Sequence, residues 1–170
     1  MPAIRLTAIR LLAFGIDVVM LAAVLLPLSF AIGAVVGTNL ASGPEVWLRS
    51  LLTISVPAWL YFIVTDHLAN GRSLGKRALG LRTQMIDGRR PSLGASVLRT
   101  ALKLAPWELT HLAFFALAPR LGAFEGIQIV VAIASYALMF AYLVVALLND
   151  GRRSVPDFVA GTAVDRIAGG

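Results

Sequence analysis

The chain has 170 residues, of which 58% are apolar and only 14% are charged, whereas a soluble domain carries roughly 25% charged residues. This composition excludes an ordinary soluble domain and, without a linker or repeat to divide the chain, predicts one membrane domain over residues 1–170. The net charge of +6 does not indicate a nucleic-acid partner, because the basic residues flank apolar spans, as a positive-inside bias produces. Since the chain has no cysteine, thiolate metal sites are excluded, and neither a metal nor a cofactor is expected.

The first transmembrane helix is predicted over residues 11–36, since no formal charge occurs from Val18 to Pro44. A helix needs about 20 such residues to cross the hydrocarbon of a bilayer. A signal peptide is the competing interpretation, but the apolar stretch is too long and contains Asp17. The second transmembrane helix is predicted over residues 46–65, with the Arg49 side chain directed outward to the membrane surface.

The segment from Asp66 to Arg99 is polar and is predicted to form a cytoplasmic loop. It contains a basic cluster that we expect to face the anionic headgroups of the inner leaflet: Lys76, Arg77, Arg82 and Arg99. Apolar and basic residues alternate with helical spacing from Ser73 to Leu81, which predicts a short amphipathic helix on the membrane surface.

A third transmembrane helix is predicted over residues 97–118 and a fourth, without charge, over residues 127–148. With four spans, nearly all basic residues lie in the N-terminus, the central loop and the C-terminal tail, while the other two loops contain Arg49 and Arg120. If the third segment did not cross, the basic tail would lie outside. The sequence therefore predicts an all-α, four-helix membrane protein with both termini cytoplasmic and a short helix in the tail.

Asp17 is a carboxylate inside the first predicted span, seven residues after Arg10 and on the same helix face. A charged side chain near mid-helix costs on the order of 2.5 to 3.5 kcal/mol. Asp17 must therefore be neutralised, paired or hydrated. Two interpretations remain open: a structural ion pair with a basic residue of another segment, and a site for a proton or cation.

The third predicted span contains a second set of polar residues, Lys103, Glu108 and His111. Glu108 and His111 are i,i+3 neighbours, so their side chains can form a hydrogen bond. A proton relay is one interpretation, and mutual neutralisation inside the helix bundle is the other. The sequence contains no constellation typical of nucleophilic catalysis or of a zinc protease, so we predict that the protein is not an enzyme.

Three stretches resemble the RDD family of prokaryotic membrane proteins: RLLAFGID at 10–17, GRSLGKRALGLRTQMIDGRRPSLGASVLR at 71–99 and DGRRSVPDFVAGTAVD at 150–165. The resemblance implies that Arg10 and Asp17 are the family's arginine and first aspartate. It assigns the second aspartate to Asp157, with Asp66 as the alternative. It further implies a multi-pass protein of the bacterial inner membrane, for which cation/proton exchange is one suggested activity.

From these residues we expect Asp157, on a short helix after the fourth span, to pair with Arg10 or with an arginine of the central loop. Two functions are compatible with such a cluster. One is a transporter that exchanges a proton for a small cation at Asp17, which at this length would form a homodimer to enclose a pathway. The other is a non-catalytic assembly or scaffold protein that docks a partner through the same polar residues.

Overall fold

The computed structural model describes residues 3–37, 42–118 and 125–167, most of them helical; Arg120 lies outside these ranges. Three of its helices are long and apolar enough to cross a membrane: α1 (Ala3–Val36), the helical segment Gly43–His67, and α6 (Gly126–Leu148). They correspond to the first, second and fourth predicted spans. Helix α1 begins well before residue 11, the predicted start, and its first turns already bury Leu6 and Thr7.

The second of these helices has three parts, α2 (Gly43–Ser50), a π-helical turn (Leu51–Ser55) and α3 (Val56–His67). Ser42 begins it, because the Ser42 hydroxyl accepts a hydrogen bond from the backbone N–H of Glu45. The wide π-helical turn comes just before Pro57, whose ring nitrogen cannot donate to the preceding turn. The helix continues through the proline to the polar central segment.

The predicted third span corresponds to α5 (Leu93–His111) and a π-helical turn (Leu112–Ala116). This segment carries charged side chains and is not among the three membrane-length apolar helices. Pro106 lies inside α5 and cannot donate to the carbonyl of Leu102, four residues earlier. The Tyr142 hydroxyl of α6 donates to that carbonyl instead, at 2.8 Å, so the neighbouring helix supplies the missing donor.

The prediction of an all-α fold holds for most of the chain but misses a two-stranded sheet. Strand β1 (Leu81–Met85) and strand β2 (Thr162–Arg166) pair antiparallel, with Leu81 opposite Arg166 and Met85 opposite Thr162. Along β1 the side chains of Leu81 and Thr83 are buried and that of Arg82 is exposed, which is the alternation of a strand with one packed face. The sheet thereby joins the central segment to the C-terminal tail.

Two short helices accompany this sheet. Of the amphipathic helix predicted from Ser73 to Leu81, only α4 (Leu74–Ala78) is helical. It stops there because Gly80 adopts a backbone φ of +63°, outside the helical region. The predicted tail helix is α7 (Val155–Val159).

The described residues form two compact units. The first unit contains residues 3–20, 59–103 and 140–167, and its apolar core includes Leu6, Ala13, Leu81 and Val164. The second unit contains residues 21–37, 42–58, 104–118 and 125–139. Hydroxyl groups link its helices: Thr53 donates to Ser29 at 2.7 Å and Ser135 to the carbonyl of Pro106 at 2.6 Å.

Candidate functional site

Asp157 is completely buried in the first unit and accepts hydrogen bonds from both sides of its carboxylate. Local sequence fixes its position, since Ser154 caps α7 and donates to Asp157 Oδ2 from its backbone N–H (2.9 Å) and its hydroxyl (2.8 Å). Arg10 Nη2 lies 2.5 Å from Oδ2, and Arg99 Nε lies 2.8 Å from Oδ1. The predicted pairing of Asp157 with Arg10 is therefore present, together with a second arginine.

Arg99 extends this pairing to Asp66. Its Nη1 lies 2.6 Å from Asp66 Oδ2, while Lys76 Nζ lies 2.7 Å from the other oxygen of the same carboxylate. Lys76 also donates to the Thr83 hydroxyl of β1 at 2.6 Å. Asp66 and Asp157 thus share Arg99 as a partner. We call this set the ionic network: Arg10, Lys76, Arg99, Asp66 and Asp157.

The ionic network is buried, and its pairing offsets the cost of burial. Removing a charge from water costs several kcal/mol unless partners and hydrogen bonds replace the lost hydration. Burial alone would raise the pKa of Asp157, but Arg99 and Arg10 outweigh burial and hold that pKa well below its usual range. Burial lowers the pKa of the Lys76 ammonium, and the contact with Asp66 opposes this shift.

Asp17 is 1% exposed and is bound by hydrogen-bond donors of the same unit. Its carboxylate accepts from the Tyr61 hydroxyl (2.7 Å), the Ser73 hydroxyl (2.6 Å) and the backbone N–H of Gly75 (2.8 Å). Among the described residues, hydroxyls and a backbone N–H thus take the place of the basic partner expected for Asp17. Since Ser73 caps α4, Asp17 holds the beginning of α4, the helix that carries Lys76.

Gly75 is the position at which α4 approaches α1 most closely. A Cβ atom built on Gly75 would overlap the backbone carbonyl of Ala13. Only glycine permits this approach, and with it the hydrogen bond from Gly75 to Asp17. The role of Gly75 was not found from the sequence.

The polar residues of the third predicted span, Lys103, Glu108 and His111, do not all belong to the same unit. The Lys103 ammonium lies 3.4 Å from the ring centroid of Phe62 in the first unit. In the second unit, Glu108 accepts a hydrogen bond from the Ser55 hydroxyl at 3.2 Å, and the His111 ring packs against that of Trp107 with 4.5 Å between centroids. The predicted set is thus divided between the two units.

The predicted cytoplasmic basic cluster is also divided. Lys76 and Arg99 are buried in the ionic network, whereas Arg77 and Arg82 are exposed. The prediction of a single surface cluster was wrong, because Lys76 and Arg99 form ion pairs with buried aspartates. Within the described ranges no group of three or more His, Asp or Glu side chains is placed to hold a metal ion.

Arg49 of the second unit packs against α1. Its guanidinium carbon lies 5.7 Å from the ring centroid of Phe30, and its side chain contacts Gly33, where any Cβ would overlap the guanidinium. A cation over an aromatic face is attracted by the ring quadrupole, which favours this conformation.

Most of the chain matches one known protein family. The family model described as RDD family matches residues 6–161, a range that begins in the first turns of α1 and ends just after α7. The chain belongs to the RDD family. No curated protein and no solved structure matches it. In this RDD protein the arginine and aspartates singled out by sequence resemblance, Arg10, Asp17 and Asp157, all lie in the first unit.

The RDD protein is expected to lose stability in acid. The pKa of Asp157 is lower in the folded protein than the value of about 3.9 in an unfolded chain. The ionised carboxylate therefore stabilises the fold above about pH 4, and this contribution is lost as the pH falls through the folded pKa. Thermal unfolding in detergent should show a falling Tm below about pH 4. If the Tm of an Asp157→Asn variant falls in acid as much as that of the wild type, Asp157 is not the source of this pH dependence.

Proposed function

We propose that this RDD protein crosses the bacterial inner membrane four times, with both termini and the central segment on the cytoplasmic side. The ionic network supports this topology, because it joins Arg10 near the N-terminus, Lys76 of the central segment and Asp157 of the tail. A single crossing between the central segment and the tail would separate them by about 30 Å of hydrocarbon. Arg99 Nε and Asp157 Oδ1 are 2.8 Å apart. The segment Leu93–Ala116 then makes the third crossing in chain order, between those of Gly43–His67 and α6.

Within this topology we propose that the protein exchanges protons for small monovalent cations. The observation that carries the proposal is the ionic network itself, which lies in a chain with three helices of membrane length. Buried ion pairs contribute little more to stability than well-packed apolar residues do. Ionisable side chains within a membrane domain characteristically mark ion and proton pathways. A fold that keeps five such groups in contact is best explained by a function that uses their charge.

In this proposal Asp17 is a positioning residue and not a ligand of the transported cation. A cation bound to the Asp17 carboxylate would displace the groups that donate hydrogen bonds to it. Each buried donor left without an acceptor would cost about 1 to 3 kcal/mol of stability. Asp17 holds α4 in place, and α4 presents Lys76 to Asp66. A change at Asp17 therefore acts on the ionic network through α4.

The second candidate function is a non-catalytic assembly or scaffold protein. One observation favours it, since Asp17, Asp66 and Asp157 are each satisfied by donors of the same chain. A fully satisfied polar network specifies one arrangement of helices. The exposed arginines of the central segment, Arg77, Arg82, Arg89 and Arg90, would then face anionic headgroups or a partner protein.

Flux in proteoliposomes separates the two functions. With a pH-sensitive dye inside the vesicles, addition of Na⁺ or K⁺ should change the internal pH when wild-type protein is present and not in empty vesicles. We expect Asp17→Asn to slow this exchange by about tenfold or more, which is ~1.4 kcal/mol in activation free energy. Asp87→Asn is the matched control, since Asp87 lies in an exposed pair with Arg89 and its loss should leave the rate unchanged.

Wild-type protein that produces no cation-dependent pH change would overturn the transport proposal and leave the scaffold function. Particle mass gives a second criterion, because four helices enclose little polar volume and a pathway would require two copies. The transport proposal expects a purified particle of twice the chain mass of 18.1 kDa. A monomer in lipid nanodiscs favours the scaffold.

A further inference from the structure

Lys103 is a cation of the first unit that lies outside the ionic network and contacts aromatic rings. Its Nζ lies 3.4 Å from the ring centroid of Phe62 and 4.5 Å from that of Phe14. The two rings are 5.9 Å apart, so the ammonium lies over a pair of aromatic faces. Within the described part of the chain, no carboxylate lies within ion-pair distance of Lys103. At contact distance its charge is stabilised by the quadrupoles of these rings.

Charged side chains nevertheless surround Lys103 at longer range. Asp17 of α1 and Asp66 of α3 attract its charge, while Lys76 of α4 and Arg99 of α5 repel it. Along their helices, Phe14 precedes Asp17 by three residues and Phe62 precedes Asp66 by four, about one turn in each case. The amine of Lys103 therefore faces both acidic positions without contacting either.

The charges of the ionic network, taken together with Asp17 and Lys103, show why the proton on Lys103 matters. This set contains four cations, Arg10, Lys76, Arg99 and Lys103, and three carboxylates, Asp17, Asp66 and Asp157. With Lys103 protonated, this set carries one excess positive charge in a region of low dielectric, which is costly. With Lys103 neutral, the charges balance. Each of the other three cations contacts a carboxylate, so loss of its proton would break an ion pair, whereas Lys103 can lose its proton without breaking one.

Two hydroxyl groups on the same face of α5 supply a route for that proton. Ser96 and Thr100 are fully buried, and their Oγ atoms have no hydrogen-bond partner within the described residues. From the helical repeat, Ser96, Thr100 and Lys103 lie within an arc of about 60° on one side of α5. Buried hydroxyls without a protein partner are the groups that bind internal water. Water along this face would reach the amine of Lys103.

We propose that Lys103 is the group that binds and releases the exchanged proton. The ammonium donates its proton to a water molecule, which leaves a neutral amine over the rings of Phe14 and Phe62 and forms hydronium. Return of a proton reverses the step. Because the neutral form removes one positive charge, one monovalent cation can enter the first unit without raising its charge above that of the protonated form. Exchange is then electroneutral, one proton for one cation.

This inference rests on the proposed transport function for its role, but its first test does not measure transport. Lys76 and Lys103 are the only lysines of the chain, so a protein labelled with ¹³Cε-lysine gives two side-chain signals. In lipid nanodiscs the Lys103 signal should change from that of a charged amine to that of a neutral amine within the pH range over which the protein stays folded and a free lysine stays charged. The Lys76 signal should move only at higher pH, because Lys76 contacts Asp66 directly. The signal that is absent from the spectrum of the Lys103→Arg variant belongs to Lys103, and the remaining signal belongs to Lys76.

A Lys103 signal that keeps the shift of a charged amine across this range would overturn the inference, even if the protein transports. The titration itself is measured on the wild-type protein, and the variant serves only to assign the two signals. In proteoliposomes, Lys103→Arg should abolish cation-dependent pH change because its charge is permanent, and retained exchange would also overturn the inference. A titrating Lys103 in a wild-type protein without flux would instead overturn the proposed function and support the proton site.

Discussion

Asp157→Asn is expected to lower the free energy of unfolding by about 3 to 5 kcal/mol, the cost of removing one partner from a buried ion pair. Asparagine keeps the shape of the side chain but removes the charge that holds Arg10 and Arg99. Its amide nitrogen would also face donors, since Ser154 and both arginines donate to this carboxylate. Arg10 would then have no carboxylate partner, and Arg99 would keep only its contact with Asp66.

Thermal unfolding of purified protein in nanodiscs measures this effect. At about 2 to 4 °C for each kcal/mol, the Tm should fall on the order of 10 °C. The matched control is Asp87→Asn, because Asp87 and Arg89 form a pair of similar length, 2.6 Å, in which both side chains are exposed. That substitution should leave the Tm unchanged. Equal Tm values for the two variants would show that the ionic network does not stabilise the fold.

Gly75→Ala should be strongly disruptive for a substitution that adds a single methyl group. Overpacking typically costs about 1 to 3 kcal/mol when side chains can move aside, but the new Cβ would overlap the backbone carbonyl of Ala13, which is part of α1. Helix α4 must therefore move away from α1. The hydrogen bond from Gly75 to Asp17 and the contact of Lys76 with Asp66 would be lost with it, so we expect a cost above this range.

Gly94→Ala is the control for this experiment. Gly94 lies in the first turn of α5, and nothing lies within 4 Å of the Cβ position. Alanine there should be neutral or slightly stabilising because of its higher helix propensity. The two variants are compared by Tm and by the fraction of protein that purifies as a single particle. If Gly75→Ala behaves like Gly94→Ala, the close approach of α4 to α1 is incorrect.

The membrane-length helices and one ion pair could be predicted from the sequence, because both follow from the cost of placing charged side chains in a lipid environment. Uncharged stretches of membrane length located α1, the helix Gly43–His67 and α6, because their length is set by the thickness of the hydrocarbon. The pairing of Arg10 with Asp157 was predicted for a similar reason. A buried charge requires a partner of opposite sign, and few such residues are available in this chain.

Features that depend on backbone and hydroxyl contacts were not predictable. The partners of Asp17 are 44 to 58 residues away in sequence, and neither a hydroxyl nor a backbone N–H has a charge that would distinguish it. Strand β1 has only five residues, too few for its alternation to compete with the helical pattern around α4. Asp66 was treated as an alternative to Asp157, whereas Arg99 binds both, since a guanidinium offers several donors.

The span of sequence between Arg10 and Asp157, 147 residues, has a consequence for biosynthesis. At a translation rate of about 5 to 20 residues per second, roughly 7 to 30 seconds pass between synthesis of the arginine and of its acid partner. During that time α1 is already made, yet its guanidinium has no carboxylate from the tail. Docking of α7 against α1 is therefore a late event, after ribosomal synthesis has passed the last membrane-length helix. A nascent chain arrested before residue 157 should remain sensitive to quality-control proteases that the finished protein resists.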